Sequence, residues 1–205
     1  MRKLLFAVAF AALAVLSLAP AAGLAQTPNI GVPGDDNLGI YFIDTENTGW
    51  ANHNIAAGVL TVSLVATGLT DMTGLSGWEC RMDFPAALFP AVTLLGDGPI
   101  NFANAPDYVV GLNSPFPHSN AIVLASINLF ITSQDPTFLY LNVKPLPSIP
   151  DAMAYASGAD FNILFPFNWS SGDEAVPVFG INTGPLDPPI ATDEATWGSL
   201  KSLYR

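Results

Sequence analysis

The chain has 205 residues, half of them apolar and only 11% charged, with 17 Asp and Glu against 6 Lys and Arg. That composition excludes a disordered chain, and the net charge of −11 sets aside nucleic acid, whose binding depends on Lys and Arg releasing phosphate counterions. A lone cysteine, Cys80, excludes an internal disulfide framework, so a hydrophobic core has to carry the fold.

Met1-Arg2-Lys3 opens the chain as a short positive segment, and Leu4 to Leu18 follows as an uncharged run rich in Leu, Ala, Val and Phe. Pro20 breaks any helix, and Gly23-Leu24-Ala25 places small residues where a signal peptidase reads. The run is shorter than the ~20 apolar residues of a membrane span. Residues 1–25 are therefore expected to be a bacterial-type signal peptide, directing a secreted, extracellular or cell-surface protein with no transmembrane segment in its mature part. Gln26 rather than Cys after the expected cut argues against a lipoprotein anchor. Removing Arg2 and Lys3 leaves 4 cations against 17 acids, a net of −13, and no basic patch for anionic lipid. The mature chain, about 180 residues, is long enough for one hydrophobic core.

From there the chain reads as short strands between turns. Leu38 to Ile43 comes first, between the acid clusters Gly34-Asp35-Asp36-Asn37 and Asp44-Thr45-Glu46-Asn47. Leu60 to Thr67 alternates apolar and hydroxyl residues, the period of a half-buried strand. In Trp78 to Phe84 the residues Trp78, Cys80, Met82 and Phe84 share one face. Glu79, Arg81 and Asp83 share the other, as an expected surface ladder of one cation between two carboxylates. Ala91 to Leu95 and Tyr108 to Leu112 are weaker strands. Ala121 to Thr132 places Ile127, Leu129 and Ile131 against one side and Ser126, Asn128 and Phe130 against the other. Phe138 to Val143, Asn162 to Phe165 and Val176 to Ile181 complete the set. With 17 Gly and 18 Pro, central helices are disfavoured and many short elements joined by loops are favoured. The expected fold class is all-β, a two-sheet antiparallel sandwich of jelly-roll or cohesin-like type over residues 26–183.

The end of the chain differs. Residues 184–192, containing Gly184-Pro185-Leu186-Asp187-Pro188-Pro189, read as an extended Pro-rich linker. Residues 193–205 read as an amphipathic segment. Trp197, Leu200 and Leu203 or Tyr204 lie on one helical face, with Asp193 and Glu194 before them and Lys201 and Arg205 after, the charge order that suits a helix dipole. A helix so short is marginal alone, so Trp197, Leu200, Lys201, Leu203, Tyr204 and Arg205 are expected to form a docking or sorting tail.

The stretch Gly74 to Leu88, with Gly74-Leu75-Ser76-Gly77 entering the alternating strand and Phe84-Pro85-Ala86-Ala87-Leu88 leaving it, resembles a strand of the cohesin family. Ala121 to Val143 resembles that family's later pair of strands, and the likeness spans Gly58 to Val143. Such motifs also occur in carbohydrate-binding modules. The resemblance implies a secreted β-sandwich and names no ligand. The final Trp197 to Arg205 resembles a short C-terminal tail of uncharacterised exported bacterial proteins.

No motif fixes a chemistry. His53 and His118 fall in loops without the Gly-x-Ser-x-Gly context of a serine nucleophile. Two histidines and an inward cysteine do not make a zinc site. The acid clusters and Asp173-Glu174 offer oxygens to calcium without EF-hand spacing, so calcium is the one cofactor considered. Glu79 and Asp83 sit ~13 Å apart along a strand, too far for a glycosidase pair. Trp50, Tyr108, Phe116 and Trp169, in or beside loops, are candidate ligand-binding aromatics for a carbohydrate or an envelope protein. The sequence thus suggests a non-catalytic binding or envelope module, with an extracellular polysaccharide hydrolase as the alternative.

Overall fold

The computed structural model describes residues 36–184. The expected leader, the linker beyond Gly184 and the C-terminal segment lie outside these residues.

Alternation dictates the strands. They run β1 (Asn37–Ile43), β2 (Gly49–Trp50), β3 (Asn52–His53), β4 (Gly58–Thr67), β5 (Leu75–Asp83), β6 (Ala91–Leu94), β7 (Ile100–Asn101), β8 (Asp107–Phe116), β9 (Ala121–Ile131), β10 (Thr137–Asn142), β11 (Met153–Ser157), β12 (Leu164–Trp169) and β13 (Phe179–Ile181). A 3-10 turn, Ala86–Leu88, follows β5.

Two layers face each other across one core. The first is β6-β9-β4-β1, antiparallel throughout. The second has β5 at its centre, with β8 and then β7 along one edge, and β11 followed by β10 along the other. From the first layer Leu38, Ile40, Val62, Leu64, Ile127 and Leu129 point inward. From the second, Trp78, Cys80, Met82, Leu139, Leu141 and Tyr155 meet them. The expected faces of Leu60–Thr67 and of Ala121–Thr132 are both seen, with Phe130 half-exposed opposite buried Ile127 and Leu129.

The layers are not separate sheets. β12 pairs antiparallel with β11 from Leu164 to Phe167, then parallel with β1 at Asn168 and Trp169. It switches layers where Phe167 is fully buried, as strands do at the corner of a sandwich. A second parallel pair joins β13 to β3. The expectation of a purely antiparallel arrangement is therefore amended to one mixed sheet folded over its own core.

Asp36 fixes the start of β1. Its carboxylate accepts from Thr70 N (2.8 Å), Thr70 Oγ1 (2.6 Å) and the buried Tyr155 hydroxyl (2.6 Å), tying the first layer to β11. Burial and the Asp36 carboxylate push the Tyr155 phenol up to about 12. The hydroxyl therefore stays a donor over the whole physiological range.

Candidate functional site

The outward face of β8-β5-β11 is unusual for a solvated sheet. Strand register lines up Gly111, Gly77, Ala156 and Leu164 as neighbours in one row, with Ile100 beyond Gly111. The adjacent row on the same side is Val109, Glu79, Ala154 and Pro166. Small residues thus form a floor. Phe102 rises at one side, its ring 3.2 Å from where a Cβ on Gly111 would stand. Phe161 and Leu164 rise at the other. Together they enclose a groove of about 180 Å³. Phe102 and Phe161 are each 73% exposed, a large apolar surface to leave in water.

Local backbone chemistry holds the walls. Phe102 N–H donates to Val109 O at 2.8 Å, anchoring the turn after β7. Phe161 sits in the turn between β11 and β12. There Asp160 Oδ1 accepts from Asn162 N (2.9 Å) and Nδ2 (2.8 Å), and these bonds hold its carboxyl below the usual range. The rim beside Phe161 therefore carries a firm negative charge.

Glu79 lies in the floor and is 4% exposed. The segment after β10 folds over it. Ser148 donates from its N–H (2.6 Å) and its hydroxyl (2.9 Å), and Lys144 Nζ lies 3.3 Å away. The expected ladder of Glu79, Arg81 and Asp83 is corrected accordingly. Arg81 pairs with Asp83 (2.9 Å) and with Asp107 on β8 (3.0 Å), while Glu79 is drawn to the covering segment. With both oxygens engaged by donors, Glu79 is a structural anchor rather than a free base. Leu146, two residues before Ser148, is 91% exposed and held at φ 56, a conformation costly for a branched residue without a packing partner.

The aromatic candidates do not converge on this groove. Trp50 is half-buried, its Nε1–H donating to Asp44 Oδ2 at 2.8 Å. Tyr108 is 8% exposed and stacks on Trp78 with ring centroids 6.0 Å apart. Phe116 packs partly buried against the core, as does Trp169, whose Nε1–H reaches Leu141 O at 2.7 Å. No ring contact among the described residues joins any two of the four. Two acids of the expected calcium clusters, Asp44 and Asp173, accept from turn N–H groups. Asp44 Oδ1 accepts from the N–H groups of Glu46 and Thr48, and Asp173 Oδ1 from that of Ala175. Among the described residues no group of three or more His, Cys, Asp or Glu is placed to hold a metal ion. Cys80 is fully buried, and burial drives its thiol pKa upward. His118 Nε2 lies 3.2 Å from Leu69 O, and His53 stacks on Phe42 at 3.9 Å.

The chain is similar in fold to type II cohesin domains. A type II cohesin domain from the cellulosome of Acetivibrio cellulolyticus shares 12% identity, with a TM-score of 0.46 over 73% of this chain and 96% of that one. The type II cohesin dyad of the adaptor ScaA scaffoldin of the same organism shares 11% identity, with a TM-score of 0.44 over 75% of this chain and 49% of that one. No protein-family model matches the chain, and no curated protein does.

The groove's walls, Phe102, Phe161 and Leu164, are residues that sequence reasoning passed over. Their signal was indirect. Gly77 and Gly111 are isolated glycines inside strands, which mark a close approach of something to the backbone. No helix among the described residues is long and apolar enough to cross a membrane.

Proposed function

We propose that this protein is a non-catalytic recognition module that binds a protein segment along the β8-β5-β11 face. The observation that carries the reading is the small-residue floor of Gly77, Gly111, Ala154 and Ala156 between exposed Phe102, Phe161 and Leu164. A floor of hydrogens and methyl groups lets another backbone approach closely, and flanking aromatics give pockets for apolar side chains. Sugar-binding platforms need exposed rings bordered by free polar groups, whereas the acid in this floor is already consumed by Ser148 and Lys144. The leader-like sequence of residues 1–25 supports export, and with it a partner among envelope or extracellular proteins.

The test pits peptides against polysaccharides. The full chain is offered a displayed random-peptide library and a polysaccharide panel. The expected result is enrichment of peptides combining apolar and basic residues. Their binding should be lost in Ala156→Trp, which fills the floor, and in Leu164→Asp, which charges the wall. Binding to polysaccharide alone, removed by Trp50→Ala or Trp169→Ala and indifferent to Ala156→Trp, would overturn the reading.

A further inference from the structure

We propose that two copies of the chain join edge to edge through β6, so that the first layer continues as one sheet across a two-fold axis at Thr93. This surface is separate from the groove, which lies on the outward face of the second layer, and failure of either reading leaves the other standing.

Three observations converge. The first is an open backbone edge. β6 ends the strand order of the first layer and, among the described residues, pairs only with β9. Its register sets Ala91 opposite Asn128, Val92 opposite Ile127, Thr93 opposite Ser126 and Leu94 opposite Ala125. One step further, Leu95 N–H donates to Leu124 O at 3.0 Å. Antiparallel ladders alternate hydrogen-bonded and non-bonded pairs, so Ala91, Thr93 and Leu95 direct their backbone groups at β9. Val92 and Leu94 therefore direct theirs the other way, each offering an N–H and a C=O beyond the edge. A row of such groups is a template for another strand.

The second is register. Pro90 has no N–H to add to a ladder, and Gly96, at φ 106, turns the chain away. The open stretch is thereby confined to β6 and admits a symmetric antiparallel pairing centred on Thr93. Val92 then exchanges both of its free hydrogen bonds with Leu94 of the second copy, and Leu94 with Val92. A pairing that uses the same strand on both copies closes on itself as a dimer.

The third is charge. At a net −11, copies of this chain repel wherever acids face acids. The strands β1, β4, β6 and β9 contain no Asp, Glu, Lys or Arg, whereas β5 and β8 carry Glu79, Arg81, Asp83 and Asp107. The first layer is thus where two acidic bodies can meet without that cost. A cationic partner would gain nothing from β6, whose outward side chains, Ala91 and Thr93, are exposed and neutral. A second copy supplies the matching backbone groups and the matching absence of charge.

Sedimentation of the full chain over a concentration series tests the pairing. The interface is short, so the expected result is weak association, from the mass of one chain to that of two as concentration rises. Added salt should strengthen it by screening the acidic bodies. Thr93→Lys sets two ammonium groups directly opposite each other and should weaken association about tenfold, with an unchanged unfolding midpoint. A chain that stays single throughout, assembly that grows beyond two, or association undiminished in Thr93→Lys would each overturn the proposal.

A second variant reads the contact itself. The natural thiol at Cys80 is buried. Thr93→Cys under mild oxidant should give a disulfide-linked dimer, because directly opposed Cβ atoms of a non-bonded pair stand close enough to bridge. Thr61→Cys, exposed on β4 of the same layer, should not. Equal yields from the two variants would mean random collision and would overturn pairing at β6.

Discussion

The two outer faces of the sandwich are built from strands of similar length and carry opposite surfaces. On the first layer, Thr61 lies opposite Asn128 and Ser63 opposite Ser126, with Thr61 Oγ1 donating to Asn128 Oδ1 at 2.8 Å. Hydroxyls and amides bond to each other along this face, and its exposed apolar pair, Val59 beside Phe130, stands at one end of the strands. On the second layer the corresponding positions are Gly77, Gly111, Ala154 and Ala156, and aromatic rings stand at their edges. The inward faces of both layers are equally apolar. The difference between the layers is thus a property of their outward residues, and the proposed binding face rests on it.

The contrast can be broken most severely at the strand that joins the layers. Phe167→Ala empties a fully buried site where β12 crosses from one layer to the other, and should cost ~4 kcal/mol in denaturant unfolding. Thr61→Ala on the polar face should cost under ~0.5 kcal/mol. Near-equal losses would mean that the crossing strand contributes no more than a surface pair. Lys144→Ala comes next. The Lys144 and Glu79 side chains are 11% and 6% exposed, so removing the cation leaves a buried carboxylate held by Ser148 alone, at an expected ~3 kcal/mol. Replacing both as Glu79→Leu with Lys144→Met should recover most of that loss. If the double change is as unstable as the single one, packing rather than charge sets the cost.

What the sequence made legible follows from the same contrast. Alternation predicts strands well where one face is apolar and the other polar, and β4, β5 and β9 emerged with their inward residues assigned correctly. β11 did not, since Met153-Ala154-Tyr155-Ala156-Ser157 carries small residues on its outward side and shows no polar beat. The strand expected at Asn162–Phe165 is displaced to Leu164–Trp169 because Asp160 caps a turn through Asn162. Glu79 looked like a solvent-facing acid because nothing in its neighbourhood of sequence announces Lys144 and Ser148, which lie some 70 positions on. Sites assembled from separate strands are legible in register, not in spacing, and Phe102, Phe161 and Leu164 meet only because β7, β8, β5, β11 and β12 lie side by side.

Gly77→Ala probes the floor itself. A Cβ at that position would stand 2.7 Å from Val110 O, a backbone atom that cannot swing aside. The expected cost is ~2 kcal/mol, together with weakened peptide binding as β8 is pushed outward. Unchanged stability would mean that β5 and β8 can part there without loss.

The smallest effect lies at the β3-β13 margin. His53 stacks on Phe42, and its Nδ1 is buried without a hydrogen-bond partner. Burial lowers its pKa below 6.5. The unfolded chain therefore takes up this proton at a higher pH than the folded one. The native state keeps its full stability above pH ~6.5 and loses some as pH falls from there toward the lower folded value. The loss should stay below ~1 kcal/mol for a group only partly buried, and His53→Phe should flatten the profile between pH 7 and 5. Because the strands around His53 belong to the β3-β13 margin, groove affinity should not follow the same titration. A peptide affinity that does change in step with His53 would show that margin and groove to be coupled through the core, and the two outer faces would no longer be independent.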